Sequence, residues 1–220
     1  MIGGLGVGAT VYYYQRLARE CEKLGFALDI VITQAQTPRV FAYVEAKDRD
    51  GLAEYLNEYI RRMKAAGAEL AAIPAITPIY CAKELGAISA LPIASLVDPL
   101  IRELAARQAR RVAIFGTRFV IESDLFGLLS GVQVVRPTPE EVDLIHRTYV
   151  ELAATAEASA GKHENLTALA HRLIRRDGVD AILLAGTDLT LLFDESNTNF
   201  PHIDCAALHI QEIVRKLTVA

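Results

Sequence analysis

Apolar residues fall into two alternating patterns along the chain. Short, nearly continuous apolar or β-branched runs at Leu28 to Thr33, Leu70 to Ile73, Val112 to Phe115 and Ala181 to Leu184 read as strands. Longer stretches between them repeat apolar residues at helical spacing: Tyr12 to Leu24, Asp50 to Ala66, Pro99 to Arg107, Pro139 to Ala158 and Leu166 to Arg176. Gly67 after Lys64, and Gly178 after Arg175 and Arg176, are ordinary helix stops. Strand and helix in alternation predict βαβ units and parallel sheet.

One part of this pattern occurs twice. The segment Gly-Ala-Glu-Leu-Ala-Ala-Ile-Pro-Ala-Ile-Thr from Gly67 to Thr77 matches Gly-Val-Asp-Ala-Ile-Leu-Leu-Ala-Gly-Thr from Gly178 to Thr187. They share the opening glycine, the acidic third residue, the apolar strand and a small residue at Ala75 and Gly186. Downstream, Leu91-Pro-Ile-Ala-Ser95 pairs with Phe200-Pro-His-Ile-Asp204. The repeat predicts an α/β protein of two similar lobes with parallel sheets related by a pseudo-dyad, one lobe formed by residues 1–97 plus 206–220 and the other by 98–205. Ligands bind beyond the carboxyl ends of strands in such sheets, so residues 75–77 and 186–188 are expected to face one another across a cleft.

Composition narrows the partners. With 52% of its 220 residues hydrophobic, the chain is long enough and apolar enough to bury a substantial core. A net charge of -4, with no run of Lys and Arg longer than a pair, leaves no electrostatic footprint for nucleic acid or an anionic membrane. Cys21, Cys81 and Cys205 have no C-x-x-C spacing and are odd in number, which argues against a disulfide framework or a thiolate metal site and suits the cytoplasm. No segment reads as a signal or a membrane span.

At the N-terminus, Ile2-Gly-Gly-Leu-Gly-Val-Gly-Ala-Thr10 is a strand end, a glycine-rich turn and a helix start. Such a turn serves equally as a tight corner or as a cradle for a small carboxylate. Its glycine spacing is not that of a dinucleotide site, and no acidic ribose partner follows. Here the chain resembles the aspartate/glutamate racemase family, whose members read roughly G-G-M-G-P-x-A-T at this turn, P-C-N-T-A-H after the third strand and G-C-T-E after a later one. This chain has Gly3-Gly-Leu-Gly-Val-Gly-Ala-Thr10, Pro74-Ala-Ile-Thr-Pro-Ile79 and Gly186-Thr-Asp188. Lesser landmarks are Pro137-Thr-Pro-Glu-Glu141 with His146, and Pro201-x-x-Asp204 with His209. The resemblance spans residues 1–218. Met1 lies only a residue before the glycine-rich turn, where family members carry more strand, so either the first strand is short or the start is late.

The resemblance implies a cofactor-independent, metal-free racemase in which two cysteines flank the substrate α-carbon. This chain departs from it there, with Ala75 and Gly186 at the cysteine positions and Ile76 and Ile79 where the family carries Asn and His. A methyl group and a hydrogen cannot exchange protons, so two-thiol chemistry is not expected. Asp188, at the family Glu position, and Tyr80 are candidate catalytic groups, although a carboxylate at Asp188 also suits a helix cap. Candidate substrate-binding residues are Thr10, Gln36, Arg39, Thr77, Thr117 and Thr187. Thr77 and Thr187 are expected to open helices whose free N–H groups bind a carboxylate, and capping is compatible with that role. Arg39 follows the second strand, where the family carries an Arg for a distal carboxylate, and an exposed loop Arg fits the sequence as well. The cysteines read as core, and His202 and His209 as structural.

Three readings stay open: altered chemistry on a small carboxylate, an inactive carboxylate binder, and a racemase with a non-cysteine acid/base pair. No cofactor is expected, and homodimerisation is left open by the sequence.

Overall fold

The computed structural model describes residues 1–218 and divides into two compact units, Met1–Ser95 with the segment from His209 onward, and Leu96–Leu208.

The first unit begins with β1 (Ile2–Gly3), the helix α1 (Val7–Lys23), β2 (Thr33–Gln34), α2 (Thr37–Glu45), α3 (Arg49–Ala65) and α4 (Ala82–Ile88). β1 pairs parallel to β2, Ile2 opposite Thr33, and the Ile2 N–H donates to the Ala72 carbonyl at 2.9 Å. Ala71 in turn bridges in parallel to Ile93. The extended segments therefore lie in the order second, first, third, fourth. The run from Leu28 to Thr33 forms ladder only at its end, and Leu70 to Ile73 pairs only through Ala71 and Ala72, so these strands are shorter than their hydrophobicity predicts. α2 was not expected from the sequence. It has only nine residues, with Pro38 in its first turn, and Thr37 Oγ1 donates to the Gly4 carbonyl at 2.8 Å.

α3 shows why its sequence is helical. Asp48 caps it by accepting from the Gly51 N–H, and Leu52, Leu56, Ile60 and Met63 form a fully buried stripe at helical spacing. Asn57 is buried on the same helix. Its amide donates to the Ile88 carbonyl and its oxygen accepts from the Ala90 N–H, so the buried polar group is satisfied and ties α3 to the end of α4.

The second unit contains α5 (Val97–Ala106), β3 (Arg111–Phe115), α6 (Arg118–Glu122), β4 (Gln133–Val134), α7 (Pro139–Thr155), α8 (Ala160–Asp177), β5 (Ala181–Leu184) and β6 (His202–Asp204), and it holds the start of α9 (Cys205–Leu217). Its sheet is wholly parallel in the order β4-β3-β5-β6, which is again second, first, third, fourth. All of β5 and four of the five residues of β3 are buried, which is why these strands read as unbroken apolar runs. Both repeated segments predicted from sequence are the third strand of their unit, and both Leu91–Ser95 and Phe200–Asp204 hold the fourth.

α7 starts with a reciprocal capping box. Thr138 Oγ1 accepts from the Glu141 N–H while Glu141 Oε2 accepts from the Thr138 N–H, and Glu141 also holds Arg172 and Arg176 of α8. Among the described residues, no helix is long and apolar enough to cross a membrane.

Candidate functional site

In the second unit the carboxyl end of β5 runs into Gly186 and a five-residue 3-10 turn, Thr187–Leu191. A 3-10 turn this short sums few peptide dipoles, so the helix opening expected at Thr187 is replaced by a tight corner. The same holds in the first unit, where Thr77–Cys81 is a 3-10 turn and α4 starts only at Ala82.

Asp188 is fully buried. Its Oδ2 accepts from the Tyr149 hydroxyl at 3.2 Å. Tyr149 projects from α7 on the face that carries the buried Ile145 and Leu152. Burial, then the adjacent Asp188 charge, pushes the Tyr149 hydroxyl well above the usual phenol range, while a hydrogen bond with the Thr187 side chain pulls the other way. This phenol is thus a proton-bearing donor throughout the physiological range. Thr187 itself is buried, its carbonyl accepting from Thr190 Oγ1.

The Tyr149 ring lies directly against Gly186. A Cβ built there would come within 2.3 Å of Tyr149 Cε2 and 2.6 Å of Cδ2. One turn earlier on α7, His146 Nδ1 accepts from the Arg118 N–H at 3.2 Å, beside Thr117, whose hydroxyl caps α6 by accepting from the Val120 N–H. Burial, then the Arg118 charge, lowers the His146 pKa and favours the neutral ring that this hydrogen bond requires. Arg118 also pairs with Asp143 and Glu122. A single helix therefore delivers His146 to the end of β3 and Tyr149 to the end of β5.

The first unit offers different chemistry at its strand ends. Ala75 and Ile76 are buried, and Thr77 is partly exposed. Thr10 is engaged inside the glycine-rich turn, accepting from the Gly4 N–H and donating to the Gly6 carbonyl. A Cβ at Gly4 would lie 2.4 Å from the Ala35 carbonyl oxygen, so close chain approach accounts for that glycine. The Gln36 N–H donates to the Tyr55 hydroxyl. Arg39 lies in the first turn of α2 rather than in a loop, with its guanidinium 4.6 Å from the Tyr55 ring centre. Tyr80 is buried beneath the Arg49 guanidinium, 4.1 Å from the ring centre, and Arg49 also donates to the Tyr80 carbonyl.

The three cysteines and His209 are buried. Cys21, Cys81 and Cys205 are free and buried, and burial pushes the Cys81 thiol up to about 12. His209 Nε2 donates to the Ala94 carbonyl, which leaves Nδ1 to accept from the Tyr13 hydroxyl. A cavity of about 650 Å³ in the first unit is lined by Phe26, Leu28, Ile30, Ala68 and Leu70 among others, none of them a candidate residue. Among the described residues no group of three or more His, Cys, Asp or Glu is placed to hold a metal.

Tyr149 is the residue that sequence reasoning missed. His146 had stood out as a landmark, and the helical spacing of Tyr149 from it would have put both on one face of α7.

Two parallel α/β units with the same strand order, each ending its third strand at a small residue and a threonine turn, define the class. The chain belongs to the Asp/Glu/hydantoin racemase family, which it matches over residues 2–213. Its fold is similar to that of an aspartate racemase homologue from Pyrococcus horikoshii OT3, with a TM-score of 0.81 at 23% identity over 99% of this chain and 97% of the other. It is also similar to an aspartate racemase from Picrophilus torridus, with a TM-score of 0.71 at 19% identity over 97% and 91% of the two chains. An allantoin racemase from Klebsiella pneumoniae matches with a TM-score of 0.65 at 17% identity over 99% and 86%.

Proposed function

We propose that this racemase-family protein binds and acts on a small carboxylate at the carboxyl ends of its parallel strands, by chemistry other than exchange between two thiols. The observation that carries this reading is the pair of residues at the two equivalent strand ends, Ala75 and Gly186, together with three cysteines that all lie buried elsewhere. The racemase resemblance puts the thiols at those two positions, and neither residue there can hold a proton.

The Tyr149–Asp188 pair, with its carboxyl group fully buried, favours altered chemistry over a purely inert binder, because a hydrogen-bonded ionisable pair at a strand end is a proton-handling group that simple binding does not require. Thr187, Thr77, Thr10, Thr117, Gln36 and Arg39 are the proposed carboxylate contacts, with Asp188 and Tyr80 the proposed reacting groups. The buried Ile76, in place of a polar residue, supports a ligand less polar than aspartate. Three free cysteines support a reducing, cytoplasmic setting.

Titration calorimetry over a panel of small mono- and dicarboxylates tests the proposal. At least one should bind, and Thr187→Val should weaken it about tenfold, the scale of one hydrogen bond to a charged group. Absence of binding across the panel, or a change under about twofold, removes the carboxylate reading and leaves the family and fold intact.

A further inference from the structure

Gly186 has φ -145° and ψ 113°, an extended backbone that any residue adopts. Its missing side chain therefore has no conformational cause. The cause is steric: a Cβ would meet Tyr149 Cε2 at 2.3 Å, Cδ2 at 2.6 Å and Cζ at 3.2 Å, all atoms of a rigid ring rather than of a flexible tip. The ring cannot easily swing aside, because its hydroxyl is held by the fully buried Asp188 and its helix packs through Ile145 and Leu152.

We infer that Tyr149 is the positioning side chain that shapes the end of β5: its ring fills the space that a side chain at position 186 would take and admits nothing larger than a hydrogen there. Tyr149 in this position therefore requires glycine at 186. The inference deepens the proposed site by naming what sets its size, but its test needs no ligand and stands or falls separately from carboxylate binding.

The experiment compares Gly186→Cys, Tyr149→Ala, Tyr149→Phe and the two combinations with Gly186→Cys, reading thermal stability and reaction with the thiol reagent DTNB. Wild type supplies a low background, since Cys21, Cys81 and Cys205 are all buried. Gly186→Cys alone should lower Tm by about 5 °C or more, the scale of overpacking in a chain of this size. Placed in the Tyr149→Ala background it should cost less than half as much, and the introduced thiol should react at least tenfold faster than any in wild type. In the Tyr149→Phe background the full loss should persist, because the ring and not the hydroxyl does the excluding. If Gly186→Cys alone fails to fold, Gly186→Ala in the same three backgrounds gives the same comparison of stabilities. Equal stability of Gly186→Cys and wild type, an additive loss with Tyr149→Ala, or rescue by Tyr149→Phe each overturns the inference.

Discussion

The two units share a strand order and a threonine turn after the third strand, yet they differ in how firmly that strand is held and in what meets its end. In the second unit β5 is laddered on both sides, to β3 over four residues and to β6 over three. Its counterpart in the first unit makes one parallel bridge at Ala71 and one bond from Ile2. At the strand ends, the second unit presents Tyr149 and Asp188, whereas the first presents the aliphatic Ala75 and Ile76 with arginines stacked on tyrosines nearby. A common topology thus fixes where the strand ends fall, and side chains from neighbouring helices decide what chemistry meets them.

The largest effect that can break this comparison is in the third strands themselves. Leu183→Ala in β5 should cost about 4 kcal/mol and Ile73→Ala about 2 kcal/mol, because truncating a fully buried residue in a ladder held on both sides leaves a cavity that cannot relax. Urea unfolding gives both values, and a larger loss for Ile73→Ala would reverse the proposed order of rigidity.

Next comes a pH dependence carried by His209 of the first unit. Burial pulls the His209 pKa down to about 4 against the opposing influence of the Ala94 carbonyl and the Glu212 charge, with Tyr13 the other group facing the ring. The unfolded chain, with an ordinary imidazole near 6.5, binds the proton more readily than the folded one between these values. Stability is therefore fully present above about pH 6.5 and is lost as pH falls through 4, by about 3 kcal/mol from this group. Denaturation curves at pH 7, 5.5 and 4 should show that slope in wild type and a flatter one in His209→Gln. Equal slopes would mean that His209 is not the titrating group.

Much of this was legible in the sequence. Unbroken apolar runs gave β3 and β5 within a residue, because strands buried on both faces leave no polar alternation to blur their limits. The repeat located both third strands, since its glycines stop α3 and α8 and its small residues end the strands. Two things were hidden for physical reasons. Strand length in the first unit depends on neighbours that the run Leu28 to Thr33 does not encode, and α2 is too short to show a period. Tyr149 was hidden because the contact that gives it meaning, with Gly186, joins residues far apart in the chain.

A smaller effect sharpens the contrast between the buried hydroxyls of the two units. Tyr149→Phe strips a donor from the buried Asp188 carboxyl and should cost about 2 kcal/mol, while Tyr13→Phe strips one from the neutral His209 ring and should cost about 1 kcal/mol. Denaturant titration of both variants against wild type checks the order, and equal losses would remove the distinction between a carboxyl partner and a neutral one.

The central claim is that family chemistry by paired thiols is absent. Proton NMR of L- and D-aspartate and of L- and D-glutamate, each incubated with the protein in heavy water, addresses it directly. The α-proton signal should persist at the rate of the protein-free control, because neither Ala75 nor Gly186 can exchange a proton. Deuterium incorporation that requires the protein, disappears on heating and survives thiol-blocking reagents would contradict the account and point to a non-thiol acid/base pair that racemises these amino acids after all.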